Sequence, residues 1–266
     1  MDLKQTSQWL DVLLDLKRKA VGIKFLLTKE EYVAFPAHEN TNRMSYCTMV
    51  RRAGDGICQK AHAGHQACPG ASMALGFQDV SQEVVSGKRR LGQATYRDLC
   101  IAHKVSKNMI YCEHRTFGIA IMPLEAFEEN PDVVIIVSNP FNAMRVAQGY
   151  AYNNGHVTTI KLAGMQAICQ ECTSFPYETD QLNFSLMCSG TRMLAGWKKD
   201  EMAIGMPFHL LPQVVDGIKN TVNPLERNPE KKLIEQKLNE AGISNELNIL
   251  FNHNYDDNVY KGGLVK

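Results

Sequence analysis

The sequence predicts an α/β or α+β protein made of tandem-duplicated halves related by a pseudo-twofold axis. Strand-like and helix-like segments alternate in its second half, which is typical of layered packing of helices on a sheet. In addition, a ten-residue block that starts at Cys68 returns 120 positions later, starting at Cys188. We therefore expect a first half at residues 1–130, a second half at 131–224 and an appended C-terminal helix and tail at 225–266.

The repeated block carries the evidence for duplication. A Cys, a Gly, a Met and a second Gly recur in register, and an aromatic residue closes each copy. Another cysteine precedes each copy at a similar distance, and a weaker match pairs residues 83–87 with 201–205. The matched residues are Cys47 with Cys169, Cys68 with Cys188, Gly70 with Gly190, Met73 with Met193, Gly76 with Gly196, and Phe77 with Trp197.

The first half begins with a predicted amphipathic helix, because Trp9, Leu10 and Leu13 recur at helical spacing. A β-branched, apolar segment then predicts a strand. In chain order, the expected elements are a helix at 6–19, a strand at 21–27, a loop at 30–44, an ambiguous segment at 45–52, mostly helical structure at 79–113 with breaks at Gly87 and Gly92, and a strand at 117–122.

The second half alternates more regularly. Its elements are predicted as a strand at 133–137, a helix at 140–152, a strand at 158–162, a helix at 165–173, a segment at 182–187 that leads into Cys188, and a helix at 207–222. Pro140 fits the first turn of its helix, where a missing N–H has no cost. Beyond residue 223 the chain is charged and rich in Asn, which predicts a helix at 229–241 and a weakly packed tail.

Composition narrows the class of protein. The chain is 44% hydrophobic and 21% charged, as globular proteins are. With 29 basic and 28 acidic residues its net charge is +1, so nothing points to nucleic acid or a membrane surface. There is no apolar run of about 18 residues and no secretory signal pattern at the N-terminus. We therefore expect a cytoplasmic protein.

The eight cysteines are the best functional clue. In a reducing compartment they point to metal binding, catalysis or burial rather than to disulfides. If the halves pack about a twofold axis, four thiols meet, and we predict that Cys47, Cys68, Cys169 and Cys188 bind a metal centre. Thiolates suit zinc and iron–sulfur clusters. The wide spacing matches neither a zinc ribbon nor a bacterial ferredoxin, so a 4Fe–4S cluster between the halves is favoured and zinc is the alternative.

Two glycines are predicted to help hold the cofactor. Gly70 and Gly190 permit a tight backbone path beside Cys68 and Cys188. If each block opens a helix, free N–H groups face the sulfur, lower its pKa and donate to a bound cluster or anion. The competing interpretation is that these cysteines are small buried apolar residues.

Other residues are candidates for chemistry beside the thiols. Cys169 and Cys172 form a C-x2-C motif that fits a redox dithiol, an additional ligand, or two neighbours on one helix face. Glu171 and His65 are candidates for proton transfer. His62 and His65 could join Cys68 in a zinc site or be exposed polar residues. Cys58, Cys100 and Cys112 are expected to be structural, and Met73, Met193, Phe77 and Trp197 to pack in the core.

Around the motifs Tyr46-Cys47, Cys68-Pro69-Gly70, Asn139-Pro140, Cys169 and Cys188-Ser189-Gly190, the sequence resembles the family designated domain of unknown function 169. The resemblance covers roughly residues 20–222. It implies a cytoplasmic protein of anaerobic prokaryotes, where oxygen-sensitive clusters persist. It adds weight to the four paired cysteines and implies no reaction.

The leading hypothesis is an iron–sulfur protein that acts in redox or sulfur chemistry, with a small-molecule substrate or a redox partner protein. Whether it is an enzyme stays open. The alternatives are a metal-free thiol enzyme or small-molecule binding protein that uses Cys169 and Cys172, a zinc tetrathiolate protein, and a structural module with buried cysteines.

Overall fold

The structure is a computed structural model that describes residues 2–243, apart from the side chains of Asn223, Pro224 and Asn228. It is a mixed α/β fold around a seven-stranded sheet with the order β2-β3-β4-β1-β5-β7-β6. The strands are β1 (Val21–Leu26), β2 (His38–Glu39), β3 (Gln59–His62), β4 (Gly118–Pro123), β5 (Val133–Ser138), β6 (Asn183–Ser185) and β7 (Met202–Pro207).

Two of the neighbouring strand pairs run over their full length. β1 pairs with β4 from Val21–Pro123 to Leu26–Gly118, and β5 pairs with β7 from Val133–Pro207 to Ser138–Met202, six residue pairs in each case. β1 and β5 join the middle of the sheet through three pairs only, centred on Gly22–Val134. All of these pairings are antiparallel, whereas the two-residue strand β2 pairs parallel to β3.

Helices cover both faces of the sheet. The α-helices are α1 (Leu3–Leu14), α2 (Lys29–Ala34), α3 (Tyr46–Gly54), α4 (Pro69–Ala74), α5 (Gln82–Val85), α6 (Lys88–Gly92), α7 (Leu99–Lys107), α8 (Pro140–Asn154), α9 (Phe175–Thr179), α10 (Ser189–Ala195), α11 (Leu211–Asn220), α12 (Val222–Leu225) and α13 (Asn228–Glu240). Residues 63–65, 124–126 and 208–210 form 3-10 helices, and Ala167–Ser174 is a π-helix. None of the helices in the described part of the chain is long and apolar enough to cross a membrane.

Alternate strand residues belong to two different cores, because successive side chains of a strand point to opposite faces of the sheet. Ala120, Met122, Val134 and Ile136 pack with residues of α1, α8, α11 and α13. On the opposite face, Ile119, Ile121, Val133 and Ile135 pack with residues of α3, α4 and the π-helix. We call this second side of the sheet the cysteine face, because Cys47, Cys169 and Cys172 are buried there.

Several predicted elements are confirmed, and others are wrong for local reasons. The strands β1, β4 and β5 and the helices α8 and α13 lie where the sequence predicts them. The expected loop at 30–44 contains α2, which begins with a capping box between Thr28 and Glu31. The expected strand at 158–162 is irregular, since the backbone of Lys161 bonds instead to the side chain of Asn183.

Three further expectations about the second half are corrected. The helix expected at 165–173 is the π-helix Ala167–Ser174. The helix expected at 207–222 begins only at Leu211, because β7 extends to Pro207. Residues 83–87 are not equivalent to 201–205, because α5 is helical and β7 is a strand. The two segments cannot therefore be copies of one element.

The C-terminal extension packs more tightly than its composition predicts. Ile234 and Leu238 of α13 are buried in the core that contains α1. Before this helix, Glu226 pairs with the fully buried Arg145 at 2.8 Å. The last part of the expected tail, residues 244–266, lies outside the described residues.

Candidate functional site: a cysteine centre

Four segments of the cysteine face carry the paired cysteines. Cys47 lies in the first turn of α3 and Cys169 in the π-helix, while Cys68 and Cys188 are the residues that cap the N-termini of α4 and α10. α3 contacts both α10 and the π-helix, and α4 contacts the π-helix. These contacts bring the four sequence-predicted cysteines together around one core.

The environment of the two buried sulfurs keeps them protonated. Cys47 and Cys169 are buried, and Cys68 and Cys188 are half-buried. Burial, with smaller contributions from charge on Cys188 and Cys68, raises the pKa of Cys47 to about 12, although the hydrogen bond from Thr191 opposes this. Burial likewise raises the pKa of Cys169 well above its usual range, and charge on the other three thiols adds to this. Binding a cation would release these protons, since metals bind thiolates.

Thr191 lies between two of the sulfurs, and sequence reasoning missed it. Its hydroxyl is 3.0 Å from Cys188 Sγ and 3.3 Å from Cys47 Sγ. Both distances end on the same oxygen, so the two sulfurs are no farther apart than the sum of these distances. The backbone N–H of Thr191 also donates to Cys188 Sγ at 3.4 Å. The sequence offered one signal for this role. A Thr follows the helix-capping Cys188 by three positions, whereas the first block has Ala71 at the matching place after Cys68.

The two blocks do open helices, as the sequence predicts. Gly70 and Gly190 lie in the first turns of α4 and α10, and neither has a positive φ. A Cβ on Gly190 would have Cys188 Sγ, at 3.9 Å, as its only neighbour within 4 Å. A Cβ on Gly70 would touch the Gln166 side chain at 3.4 Å. Gly190 therefore leaves open space beside a sulfur.

The π-helix separates the two thiols of the C-x2-C motif. Cys169 is influenced by Cys47, Cys68 and Cys188. Cys172 is fully buried, and burial raises its pKa well above the usual range. The charges of Glu171 and Cys47 add to this rise, while hydrogen bonding from Ser185 and Gly205 opposes it. Cys172 therefore borders β6 and β7. All eight cysteines are free thiols.

Unusual backbone conformations precede two of the cysteine segments. Gln166, which begins the π-helix, has φ 49°, and Met187, which directly precedes Cys188, has φ 66°. Residues other than Gly, Asn and Asp seldom adopt this left-handed conformation. π-Helices are themselves rare and occur frequently at functional sites. Backbone strain of this kind also concentrates at such sites, which favours a functional role for these segments.

A buried cation lies next to the Cys68 block. The Arg90 guanidinium is buried and donates to the neutral side chains of Ser106, Tyr111 and Gln166. Gln166 in turn donates to the carbonyl oxygen of Gly70 at 2.8 Å. Burial raises the pKa of Tyr111, and the Arg90 cation lowers it. Charge at Cys169 raises it by a smaller amount, so this network borders the cysteine centre.

The two candidates for proton transfer form their hydrogen bonds and ion pairs with groups other than the paired cysteines. Glu171 is fully buried and accepts from the N–H of Ala163 at 2.8 Å and from the hydroxyl of Ser185, so it ties a loop to β6. His65 lies beside His62 and Glu39. Within the described part of the chain, the group with metal-binding spacing consists of these three residues and does not include Cys68.

The remaining sequence candidates divide into buried and exposed residues. Met73, Phe77 and Trp197 are buried as expected, and the Trp197 indole donates to the backbone oxygen of Cys47 at 3.3 Å. The core assignment of Met193 is wrong, because its side chain is 82% exposed on the outer side of α10. Cys58 and Cys112 are half-buried, and Cys100 is exposed and so does not belong to the core.

Comparison with known proteins places the chain in a family. Residues 10–217 match DUF169, described as uncharacterised ArCR. The chain belongs to the DUF169 family. A relative of similar length is an uncharacterised protein of Methanocaldococcus jannaschii, 24% identical over 225 residues that cover 82% of this chain and 94% of the relative. No solved structure matches the chain. The DUF169 match includes all four paired cysteines and excludes α13.

Proposed function

We propose that this DUF169 protein binds a 4Fe–4S cluster through Cys47, Cys68, Cys169 and Cys188 and uses it in redox or sulfur chemistry. The observation that carries the proposal is the meeting of these four cysteines on one face of the sheet. They come from four separate segments, and the open space at Gly190 lies beside one of the sulfurs. Soft thiolates are the protein ligands that such clusters require.

The spacing of the sulfurs favours a cluster over a single zinc ion. Tetrahedral zinc with Zn–S bonds of about 2.3 Å places its sulfurs about 3.8 Å apart. Among residues 2–243, no three cysteine sulfurs all lie within 4.8 Å of one another. A cluster separates its thiolates more widely, because irons and sulfides lie between them. The wider spacing is therefore suited to the larger group.

The charges around the centre also suit an anionic group. A buried charge is costly unless a partner compensates it. The Arg90 side chain is buried among neutral partners, and its network reaches the Cys68 block through Gln166. A thiolate-ligated cluster carries negative charge, so it would supply a counter-charge on this side.

Each residue around the centre has a defined task in this proposal. When bound by all four cysteines, an iron–sulfur cluster supplies one-electron transfer; with only three of the thiolates bound, it would supply an open iron site. Thr191 positions Cys47 and Cys188 through its hydroxyl and donates its N–H to Cys188. The half-buried Cys68 and Cys188 mark the side that a small molecule or a redox partner protein can approach.

The alternative of a dithiol enzyme has less support. Cys169 and Cys172 lie in different surroundings, and Cys172 is fully buried against β7. A catalytic dithiol requires at least one accessible thiol of lowered pKa. In both residues the pKa is raised instead.

We further propose that the fold arose by tandem duplication. From the central pair β1–β5 outward, the strand order continues with β4 and β7 and then with β3 and β6, as expected for two halves related by a twofold axis. Helices that contain a paired cysteine, or are capped by one, flank the matching strands in both halves. The helices α3 and α4 lie before and after β3, and the π-helix and α10 lie before and after β6. The contact of α3 with α10 then corresponds to that of the π-helix with α4.

Anaerobic purification of the full chain, with assays of iron, acid-labile sulfide and zinc, tests the cluster. We expect brown protein with about four irons and four sulfides, which dithionite bleaches. Cys68→Ser and Cys188→Ser should lose most of the iron, whereas the exposed Cys100→Ser should keep it. Stoichiometric zinc without sulfide, or full iron in both ligand variants, would refute the proposal.

A further inference from the structure

A second group of metal-ligating side chains lies outside the cysteine centre, at the edge of the sheet where β2 pairs with β3. Glu39 is in β2, His62 is the last residue of β3, and His65 ends the 3-10 helix that follows. Within residues 2–243, they are the one group of three His, Cys, Asp or Glu residues whose ligand atoms all lie within 4.8 Å of one another.

The distances within this group suit a single metal ion. His62 Nε2 is 3.3 Å from Glu39 Oε1, and His65 Nε2 is 3.8 Å from the same oxygen. Tetrahedral zinc with Zn–N and Zn–O bonds of about 2.0–2.2 Å places its ligand atoms about 3.4 Å apart. Both distances to Glu39 Oε1 are therefore close to the edge of such a tetrahedron, and small shifts would complete the geometry.

A buried hydroxyl without a partner lies beside the group. Tyr32 is 4% exposed, and its hydroxyl has no partner of good hydrogen-bond geometry. Its ring packs edge-on against His62 at 5.8 Å. Burial raises the Tyr32 pKa, and the charge of Glu39 and a weak hydrogen-bonding approach of its carboxylate add to this. Buried polar groups are nearly always satisfied. A water or hydroxide in a fourth metal position would give this hydroxyl an acceptor.

We propose that Glu39, His62 and His65 bind a divalent transition-metal ion, zinc by ligand preference, with an open fourth position next to Tyr32. Three protein ligands with an open position are typical of catalytic rather than structural zinc. The same set of two histidines and a carboxylate also binds iron(II). Because no cysteine contributes, this site is independent of the cysteine centre.

Metal binding changes where the imidazole protons lie. In the metal-free protein, Gly64 N–H donates to His62 Nδ1 at 3.0 Å and His62 N–H to His65 Nδ1 at 3.3 Å. The neutral rings then carry their protons on Nε2, facing Glu39. A metal ion on Nε2 moves each proton to Nδ1, so both backbone hydrogen bonds open. They belong to the Ala63–His65 turn, none of whose residues is buried, so the turn has room to adjust.

Titration of the full-length protein with Zn²⁺ against a chromophoric chelator, and with Co²⁺ followed by absorption, tests the site. Beyond any cobalt bound by the cysteines, which shows thiolate-to-cobalt charge transfer, we expect one Co²⁺ with nitrogen and oxygen ligands, recognised by its d–d bands. His62→Ala, His65→Ala and Glu39→Gln should each weaken this binding by more than about 10-fold. His38→Ala is the matched control, because His38 is exposed and adjoins Glu39 in the same strand.

The outcome is decided by comparison of the variants. Glu39→Gln keeps the shape of an exposed side chain, so loss of binding there is not explained by unfolding. Wild-type affinity in His65→Ala and Glu39→Gln would overturn the proposal. So would cobalt that shows thiolate ligation alone.

Discussion

The hydroxyl of Thr191 lies 3.3 Å from the sulfur of Cys47, a residue far away in the sequence on the opposite side of the predicted duplication boundary. The same oxygen is 3.0 Å from Cys188 Sγ. One side chain thus links a cysteine of each predicted half. Ala71 occupies the matching place in the first block, so the centre is not symmetric in its hydrogen bonds.

Removing this hydroxyl should make Cys47 less reactive. The hydrogen bond from Thr191 lowers the pKa of Cys47, although burial dominates and raises it. In Thr191→Val the thiol should ionise less at a given pH, so iodoacetamide should alkylate Cys47 more slowly in metal-free protein. Peptide mass spectrometry measures the rate. Thr48→Val is the control, since its hydroxyl bonds Ser45 and not a sulfur. Unchanged alkylation of Cys47 would contradict a direct effect of the hydroxyl.

Cys169 and Cys172 should differ in their importance for the metal centre. Cys169 is influenced by the three other paired cysteines, whereas Cys172 is influenced by Cys47 and borders Ser185 and Gly205. Anaerobically prepared Cys172→Ser should therefore keep most of its iron, and Cys169→Ser should lose it. Iron and sulfide analysis of the two proteins, side by side with wild type, gives the answer. Equal losses would mean that the local C-x2-C motif builds the site.

The space at Gly190 provides a steric test. A Cβ there would have Cys188 Sγ as its only protein neighbour within 4 Å, so Gly190→Ala should fold normally. Alanine should even stabilise α10 by up to about 1 kcal/mol, because glycine disfavours helices. If a cluster occupies this space, the variant should contain less iron than wild type. Gly92→Ala, at a helical glycine that also has no close neighbours, should keep its iron. Full iron in Gly190→Ala would show that the space serves no bound group.

Glu171 should make stability depend on pH. Burial raises its pKa above the ordinary value of 4.5, and hydrogen bonds from Ser185 and Ala163 offset this only in part. A group with a raised pKa in the folded state favours folding while it is protonated. This contribution is complete below pH 4.5 and is lost as the pH rises through the folded-state pKa.

The variant Glu171→Gln cannot ionise, so its urea-unfolding free energy should lack this component. Relative to wild type, the variant should become more stable as the pH rises from 4.5 towards neutrality. Glu113→Gln, at an exposed position, serves as the control. A constant difference between Glu171→Gln and wild type over this range would count against the raised pKa.

The buried pair of Arg145 and Glu226 should anchor the C-terminal extension. Glu226→Ala leaves a fully buried guanidinium without its counter-charge, which typically costs about 3–5 kcal/mol. Burial lowers the pKa of Arg145 and raises that of Glu226, so desolvation outweighs their pairing. Arg145→Met with Glu226→Leu should therefore destabilise less than Glu226→Ala alone, as measured by chemical denaturation. A double variant less stable than the single one would contradict this.

Much of the fold could be predicted because its strands are continuous apolar segments. Buried strands such as β4 and β5 have few alternatives to Val, Ile and Ala on either face. Short elements held by specific side chains were harder. The capping box at Thr28 and Glu31 lies in a polar stretch, and the i→i+5 bonding of the π-helix has no distinct sequence period.

The site was partly predictable for a similar reason. The repeat pointed to Cys68 and Cys188, but it directed attention to identical positions and away from differences such as Thr191. It also placed Met193 in the core, although only Met73 of the two is buried. Glu39 was missed because it is distant in sequence from His62, and only the β2–β3 pairing brings them together.

The central strands β1 and β5 form a short junction in the middle of the sheet. Three residue pairs join β1 to β5, against six pairs on either side. Above this seam, α3 contacts α10 and α4 contacts the π-helix. A group held by sulfurs from both sides would cross-link the two parts of the molecule over this junction. Pulling force or heating would then separate the two sides only after the sulfur ligands dissociated. Loss of the bound group would therefore lower the mechanical strength of the molecule while its fold stayed the same.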